Sequence, residues 1–259
     1  YHNRKAVGER TQVGMEEKEI KEAVQKENPA VIGVAQMFTD QSPNGHMVCR
    51  AAKSACPDVP TVMGGVYPTD MPDVALADEN VDYLLTAEAE ESFKHFCDWK
   101  ILKDDKAYEK IDGLNFNRKH KWIQNLDTIP FPARHLIPVE KYFDAGRAYR
   151  EHAHKRIAFP MITSRCCPIA CTFCATHSMM GSYRQRSPQN VIEEIEYLIE
   201  NYGMEEIYFL DDALVHDNFR ELLKIMVKKD YGLTWHGANG TAIYDMDDEL
   251  IELHAATGC

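Results

Sequence analysis

This 259-residue sequence lacks the marks of several protein classes. It has no uninterrupted apolar run long enough to span a bilayer, and its start shows no signal peptide. Basic residues are in the minority, with 29 Lys and Arg against 41 Asp and Glu and a formal charge of −12. Because such a surface repels phosphate backbones, we expect no nucleic-acid partner. These absences predict a cytoplasmic protein without a membrane span.

Cysteine is well represented and unevenly placed. Four of the eight cysteines lie in the stretch CCPIACTFC, which covers residues 166–174. The apolar fraction of 44% is enough for a substantial core, so disulfides are not needed to hold the chain together. In a reducing compartment, clustered cysteines indicate metal or redox chemistry.

The N-terminal part alternates apolar, β-branched runs with helical patterns. Runs this short suit buried parallel strands, and their alternation with helices is typical of βαβ units in a parallel sheet. Strands are predicted over 30–38, 60–66 and 81–87, and helices over 16–29, 44–56 and 88–100.

Residues 102–150 interrupt this alternation. The segment 113–125 is predicted to form a small hairpin, and 127–138, with three prolines, an extended linker. A domain over 1–101 is therefore predicted to be joined through 102–150 to a second domain over 151–259.

The alternation resumes in the second domain. In the helix predicted over 187–203, Ser187 is a good N-cap, Pro188 occupies the first turn, and Gly203 ends the helix. Strands are predicted over 156–164, 205–212 and 233–238, and further helices over 217–229 and 247–257. Parallel α/β folds bind ligands at the carboxyl ends of strands, where the cysteine cluster and Asp211–Asp212 fall.

The cysteine spacing allows two triads, Cys167, Cys171 and Cys174, or the same set with Cys166 in place of Cys167. Thiolate sulfur suits zinc and iron–sulfur clusters, and three close thiolates can hold a cubane whose fourth iron stays open. The alternatives are structural zinc, with Cys166 or His177 as fourth ligand, and unrelated buried thiols. Structural zinc sites usually pair two ligands with two distant ones, and no second C-x2-C is present, so spacing favours the open cluster.

The stretch CPIACTFC resembles the signature of the radical S-adenosylmethionine (SAM) enzymes, C-x3-C-x2-C with an aromatic residue before the last cysteine. The N-terminal part is similar to the cobalamin-binding domain that precedes the barrel in the B12-dependent class. There, a strand ending in S-x-L is followed, after a helix, by a strand ending in Gly-Gly; Ala35-Gln36-Met37 and Gly64-Gly65 stand at these places. Other similar segments are PFPARHL (130–136), YRQRSPQNVIEEI (183–195) and FLDD (209–212).

The resemblance implies an α/β protein: a partial Rossmann-like cobalamin-binding domain, its first strand missing, followed by the first half of a truncated radical SAM (β/α) barrel. It also implies an internal fragment of a longer protein, inactive alone. The implied cofactors are a [4Fe–4S] cluster held by Cys167, Cys171 and Cys174, SAM, and cobalamin.

The implied activity is reductive cleavage of SAM to a 5′-deoxyadenosyl radical, for C-methylation of an unactivated carbon. The implied partners are a small-molecule or metabolite substrate and an electron donor such as flavodoxin or ferredoxin. One alternative is a non-methylating radical cyclase or rearrangement enzyme. The other is a closed-cluster electron-transfer or cobalamin-binding module.

The resemblance also implies contacts for single residues. SAM would meet Phe173, Asp211 and Asp212, which otherwise are a core aromatic residue and helix caps. His46 is expected to be an ordinary histidine and not a cobalt ligand. The implied cobalamin contacts are Gln36, Met37, Thr39, Gly64, Gly65, Val66, Tyr67 and Glu88.

Several positions depart from the family pattern. Cys166 replaces the glycine of a common Arg-Gly-Cys, and Ala87 and Ala89 replace both glycines of a G-E-G-E pattern. The segment DQSPNG (40–45) resembles D-x-H-x-x-G with Ser42 in place of histidine, although it follows a different strand. Since neighbouring side chains of an extended segment point in opposite directions, Cys166 is expected to face away from the cluster.

Overall fold

The computed structural model describes residues 4–7, 10–115, 121–144, 155–214, 217–241, 243 and 246–259. The chain divides into two compact units, Tyr1–Ile123 and Gln124–Cys259. This division falls within the segment 102–150, in which the sequence pattern predicts a hairpin and a linker.

The first unit is built on a three-stranded parallel sheet of order β3-β4-β5, preceded by an antiparallel pair, β1-β2. The strands are β1 (Arg4–Val7), β2 (Arg10–Val13), β3 (Ile32–Ala35), β4 (Thr61–Gly64) and β5 (Tyr83–Leu85). The helices are α1 (Glu17–Glu27), α2 (Ser42–Ala55), α3 (Val66–Asp70), α4 (Pro72–Leu76), α5 (Glu90–Leu102) and α6 (Asp105–Tyr108).

Both faces of β4 and β5 are covered, which explains why these strands are mainly apolar, whereas β3 buries alternate residues. Val34, Met63 and Leu84 lie side by side in register and pack in one buried cluster with Cys49 and Ala52 of α2. On the opposite face a second cluster contains Val62, Leu85, Phe96 and Ile111.

The second unit is built on a parallel sheet of order β10-β9-β6, with a helix after each strand. Its strands are β6 (Ala158–Met161), β9 (Glu206–Phe209) and β10 (Thr234–Gly237), and a short antiparallel pair joins β7 (Ser164–Arg165) to β8 (Arg184–Gln185). Its helices are α7 (Val139–Asp144), α8 (Thr176–Met180), α9 (Pro188–Tyr202), α10 (Asp217–Lys229) and α11 (Asp248–Ala256).

Helix α9 confirms the capping prediction. The Ser187 hydroxyl accepts a hydrogen bond from the Asn190 amide at 3.2 Å, Pro188 begins the helix, and Gly203 ends it in the left-handed conformation. The buried face of α9 presents Ile192 and Ile195 to the core of the second unit. Three successive βα units are therefore present, as the sequence predicts.

Two predicted strands are divided or shorter in the structure, and one predicted hairpin lies partly outside the described residues. The strand predicted over 156–164 is divided into β6 and β7. The strand predicted over 30–38 ends at Ala35, and a 3-10 turn, Thr39–Gln41, follows. The centre of the hairpin predicted over 113–125 lies outside the described residues, although Leu114 forms an antiparallel bridge with Leu85. None of the helices in the described ranges is long and apolar enough to cross a bilayer.

Candidate cofactor sites at the carboxyl ends of the strands

Four of the cysteines lie on one loop that begins after β7 and ends at β8, the strand that pairs with β7. Its base is closed by pairing of Arg165 with Arg184, and the Arg186 amide donates to the Thr163 carbonyl at 2.8 Å. The cysteine loop, residues 166–183, is thus held at both ends at the carboxyl edge of the β6-β9-β10 sheet.

Cys166 differs from the other three cysteines. It is buried, and its thiol donates to the Gly181 carbonyl at 3.2 Å and lies 3.7 Å from Nδ1 of His177. The expectation that Cys166 continues an extended strand is wrong, because β7 ends at Arg165 and Cys166 has a left-handed φ of +66°. This conformation favours glycine, which accounts for the glycine common at this position in the resembling family.

Cys171 and Cys174 are exposed, and Cys167 is half-buried. The Cys174 amide donates to the Cys171 carbonyl at 3.1 Å, which closes a tight turn. Hydrogen bonds from the side chain and backbone of Thr176 lower the pKa of the Cys174 thiol, which favours the thiolate. Phe173 is 91% exposed, so its interpretation as a core aromatic residue is wrong.

The cysteine loop has the donor chemistry of an iron–sulfur site. Three thiols within residues 167–174 are at least partly accessible, and thiolates are the ligands such clusters use. Within the described ranges, no three Cys, His, Asp or Glu side chains are already arranged to hold a metal ion. The donor set therefore fits a three-cysteine cluster by its chemistry, although the described side chains are not drawn together around one metal position.

The two aspartates after β9 have different environments. Asp211 is only 2% exposed, and its carboxylate accepts hydrogen bonds from the Thr163 amide at 2.9 Å, the Thr163 hydroxyl at 2.8 Å and the Ser164 hydroxyl at 2.6 Å. Desolvation outweighs these hydrogen bonds and raises the pKa of Asp211. Asp212 is exposed, and partial desolvation raises its pKa as well. Asp211 ties the end of β9 to the start of the cysteine loop, whereas Asp212 is accessible to a ligand.

A buried ion triad lies behind this loop, and the sequence patterns did not reveal it. The Glu194 carboxylate accepts from Arg134 Nη2 at 2.8 Å and from Arg186 Nη1 at 2.6 Å. Arg186 Nη1 also donates to the Ile162 carbonyl at 2.8 Å. The triad joins the proline-rich segment and α9 to the end of β6. The sequence offers a weak signal only at Arg134, a charged residue in the mainly apolar segment PFPARHLIP.

In the first unit, the ends of β3 and β4 are in close contact. The Gln36 amide donates to the Gly64 carbonyl at 2.8 Å, and the Tyr67 amide donates to the Gln36 carbonyl at 3.1 Å. Gly65 has a φ of +107°, and a Cβ there would lie 2.5 Å from the Gln36 carbonyl oxygen. The glycine is thus required both by its conformation and by the approach of the two backbones.

The edge around this contact is apolar and open. Met37 and Phe38 are 49% and 61% exposed, directly beyond the end of β3. Exposed apolar side chains beside a backbone turn suit a flat, largely apolar ligand such as a macrocycle. The structure brings the Gly64–Gly65 turn and Met37 to the same carboxyl edge, as the resemblance implies.

The other predicted cobalamin contacts vary in accessibility. Thr39 is exposed, Val66 is half-buried at the start of α3, and Gln36 and Tyr67 are buried. The Glu88 carboxylate accepts a hydrogen bond from the Ile123 amide at 2.8 Å.

The loop after β5 has alanine where the family pattern has glycine, at a position whose backbone conformation favours glycine. Ala87, which replaces a glycine, has a left-handed φ of +63°. Its amide donates to the Thr69 hydroxyl at 2.8 Å, which fixes the loop to α3. Like Cys166, Ala87 keeps the backbone that a glycine would adopt more easily.

The geometry agrees with comparisons to known protein families. A model described as the B12 binding domain matches residues 9–96, and a model described as the Radical SAM superfamily matches residues 161–259. The chain therefore carries a B12-binding domain followed by a radical SAM domain. The resemblance read from the cysteine motif and the domain order is thereby confirmed.

Curated relatives have the same organisation over part of their length. The chain is 28% identical over 277 residues to cytidylyl-2-hydroxyethylphosphonate methyltransferase of Streptomyces wedmorensis, covering 95% of this chain and 51% of the relative. It is 27% identical to an uncharacterized methyltransferase of Pyrococcus horikoshii, covering 93% and 52%. It is 26% identical to the anaerobic magnesium-protoporphyrin IX monomethyl ester cyclase of Rubrivivax gelatinosus, covering 94% and 45%. The chain spans about half the length of these relatives.

Solved structures support the fold. Two structures of the radical SAM methyltransferase TsrM from Kitasatospora setae match with TM-scores of 0.71 and 0.68 at 18% sequence identity, covering 94% of this chain and 49% of TsrM. One TsrM structure contains tryptophan and a SAM analogue, and the other contains cobalamin and a [4Fe–4S] cluster. The α/β fold class, a B12-binding domain followed by a radical SAM domain, is confirmed.

Proposed function

We propose that this chain is the cobalamin- and cluster-binding part of a radical SAM methyltransferase that acts on an unactivated carbon of a small molecule. The observation that carries this proposal is the order of the two matched domains, each on a parallel sheet with its candidate site at the carboxyl edge. Two curated relatives named as methyltransferases, together with the fold of TsrM, favour methylation.

In this proposal, some residues of the chain bind the cofactors and others hold the loops on which those residues lie. When bound, the cluster and cobalamin supply reductive cleavage of SAM and carriage of a methyl group. Cys167, Cys171 and Cys174 are the proposed iron ligands, since they are the accessible thiols of the cysteine loop. Asp212 is the proposed hydrogen-bond acceptor for SAM, because the Asp211 carboxylate is already engaged by Thr163 and Ser164.

In this proposal, exposed apolar side chains contact the bound cofactors. Phe173, between two proposed ligands and 91% exposed, is the residue proposed to cover SAM and limit the access of water. Met37 and the Gly64–Gly65 turn are the proposed contacts for one face of cobalamin. Gln36 and Tyr67 are buried, so their side chains act on cobalamin by shaping this turn.

The proposed partners follow from the chemistry. One-electron reduction of the cluster needs a donor such as flavodoxin or ferredoxin, and the substrate is a small molecule or metabolite. All eight cysteines are free thiols, which agrees with a reducing compartment, and a cytoplasmic location is part of the proposal.

Anaerobic reconstitution of the complete gene product tests this function. We expect about four irons per chain, bound cobalamin, and transfer of an isotope-labelled methyl group from SAM to a small-molecule product, detected by mass spectrometry. The cyclase relative supports a second candidate, a radical ring closure. A product that loses hydrogen and gains no labelled methyl group would favour the cyclase and contradict methyl transfer.

A further inference from the structure

In the first unit, a histidine of α2 forms hydrogen bonds with a residue just after α4 and with a residue of α3. His46, in α2, has its Nδ1 2.6 Å from the Asp78 carboxylate and its Nε2 2.9 Å from the Tyr67 hydroxyl. The side chains of His46 and Asp78 are 22% and 20% exposed, and Tyr67 is buried at 2%. The His46 and Tyr67 rings meet edge to face, with centroids 5.6 Å apart.

The directions of these hydrogen bonds follow from the chemistry of the groups. A carboxylate only accepts, so Nδ1 of His46 carries the proton it shares with Asp78. The other carboxylate oxygen of Asp78 accepts from the Asn80 amide at 2.9 Å and side chain at 2.7 Å. The Tyr67 hydroxyl has a further side-chain partner in Ser42, the residue that replaces histidine in the D-x-H-x-x-G resemblance. His46 is therefore held at both ring nitrogens.

Tyr67 connects this chain of hydrogen bonds to the turn between β4 and α3. Its amide donates to the Gln36 carbonyl at 3.1 Å, the same oxygen that a Cβ at Gly65 would approach to 2.5 Å. The Gly65 carbonyl in turn accepts from the Thr69 hydroxyl at 2.7 Å. Tyr67 therefore links the His46 side chain, through its hydroxyl, to the Gln36 carbonyl at the turn, through its amide.

We propose that Asp78, His46 and Tyr67 form a positioning relay for cobalamin, in which His46 fixes the Gly64–Gly65 turn through Tyr67 and does not coordinate cobalt. The inference rests on the proposed function, because that function supplies the cobalamin. It gives a role to a histidine that resembles a metal ligand by its place after a D-x-x-x-x-G segment. A nitrogen that bonds Tyr67 or Asp78 is not available to a metal.

Equilibrium titration of the full chain with hydroxocobalamin tests the relay without any need for catalysis. Tyr67→Phe keeps the buried ring and removes only the hydroxyl, so its circular dichroism should match that of the unaltered chain and its loss of stability should be no more than that of a buried hydrogen bond, about 1–3 kcal/mol. We expect Tyr67→Phe and His46→Ala each to raise the Kd for cobalamin about tenfold, on the scale of a lost buried hydrogen bond. The double variant should be no weaker than the weaker single variant, because both changes break one relay.

Conservative and unrelated substitutions sharpen the test. His46→Gln, which can still reach one partner, should bind with a Kd between those of the unaltered chain and His46→Ala. His95→Ala removes a half-buried histidine from α5 of the same unit and should leave the Kd unchanged. Multiplying effects in the double variant, or full affinity in Tyr67→Phe, would overturn the relay while leaving the proposed function intact.

Electron paramagnetic resonance separates positioning from coordination. Cob(II)alamin is bound to chain prepared with ordinary histidine and with histidine labelled with the heavy nitrogen isotope. The relay predicts identical splitting of the cobalt lines in the two samples, and a change on labelling would show a protein histidine on cobalt and overturn it. Failure of the unaltered chain to bind cobalamin at all would instead refute the proposed function and the relay with it.

Discussion

Gly65 lies so close to Gln36 that a Cβ at Gly65 would stand 2.5 Å from the Gln36 carbonyl oxygen and 2.9 Å from its carbonyl carbon. Both atoms belong to backbone, which has little freedom to move away. The contact fixes how the ends of β3 and β4 meet, and it lies at the proposed cobalamin edge.

Replacement of Gly65 by alanine should therefore destabilise the first unit and weaken cobalamin binding. Gly14→Ala is a matched control, because Gly14 has a similar φ, +116° against +107°, and nothing within 4 Å of the added Cβ. We expect Gly14→Ala to cost about 1 kcal/mol from conformation alone and Gly65→Ala about 1–3 kcal/mol more from the clash. Urea unfolding measures the loss of stability in each variant. Equal losses would show that the close approach to Gln36 does not contribute to the cost of Gly65→Ala.

Local patterns made much of this fold predictable. Helix α9 carries its start and stop signals within its own sequence, at Ser187, Pro188 and Gly203, and α10 covers the predicted residues 217–229. Helices α3 and α4 were missed because five residues each are too few to show a helical period.

The contacts that organise the cofactor loops were not predictable in the same way. Glu194 and Arg134 are 60 residues apart, and Asp211 and Thr163 are 48 apart. A motif shows which residue types are close in sequence, whereas these hydrogen bonds depend on how two strands and a helix meet. The cysteine motif was recognisable because its ligands lie on one loop. The left-handed backbone of Cys166 was not, because it departs from the extended conformation expected after a strand.

Asp211 and Asp212 should separate stability from ligand binding. Asp211→Ala leaves the buried Thr163 amide and hydroxyl without their acceptor, and should lower the unfolding free energy of the second unit by about 1–3 kcal/mol. Asp212→Ala, at an exposed position, should change stability by less than about 0.5 kcal/mol and weaken SAM binding. Hydrogen exchange of β9 amides and SAM titration of reconstituted protein measure the two effects. A large loss of stability in Asp212→Ala, with weakened SAM binding only in Asp211→Ala, would contradict these roles.

The raised pKa of Asp211 also predicts a pH dependence. In the unfolded chain an aspartate titrates near about 4, whereas burial makes folded Asp211 bind its proton more tightly. Its contribution to stability is therefore greatest below the unfolded pKa and falls as pH rises through the folded pKa. The destabilisation caused by Asp211→Asn should accordingly be largest near pH 4 and shrink towards neutral pH. Asp217→Asn, at an exposed position on α10, controls for the loss of one charge, and a growing difference with pH would contradict the assignment.

Glu194 should be one of the most sensitive positions in the second unit. Its removal leaves the buried guanidinium groups of Arg134 and Arg186 without their shared carboxylate. We expect Glu194→Ala to cost about 3–5 kcal/mol, the usual effect of breaking a buried ion pair on one side. The neighbouring Glu193 is exposed, and Glu193→Ala should stay within about 0.5 kcal/mol. Denaturant unfolding of the two variants measures these free energies. Similar losses of stability in both would show that the buried triad contributes no more than an exposed glutamate.

The four cysteines of the loop should differ sharply in their effect on iron binding. Cys171→Ala and Cys174→Ala remove exposed thiols, Cys167→Ala removes a half-buried one, and each should abolish cluster formation. Cys166→Gly and Cys166→Ala should retain about four irons per chain, because three cysteines suffice for a cubane with an open iron.

Stability separates the two Cys166 variants from each other. Both lose the buried thiol and its 3.2 Å contact with Gly181, but glycine accepts the φ of +66° more easily than alanine does. Cys166→Gly should therefore be about 1 kcal/mol more stable than Cys166→Ala. Iron content, SAM cleavage and urea unfolding of these variants in the complete protein decide the matter. Loss of iron in Cys166→Ala with retention in Cys167→Ala would reverse the ligand assignment, since the cluster would then use the buried thiol and leave its accessible neighbour spare.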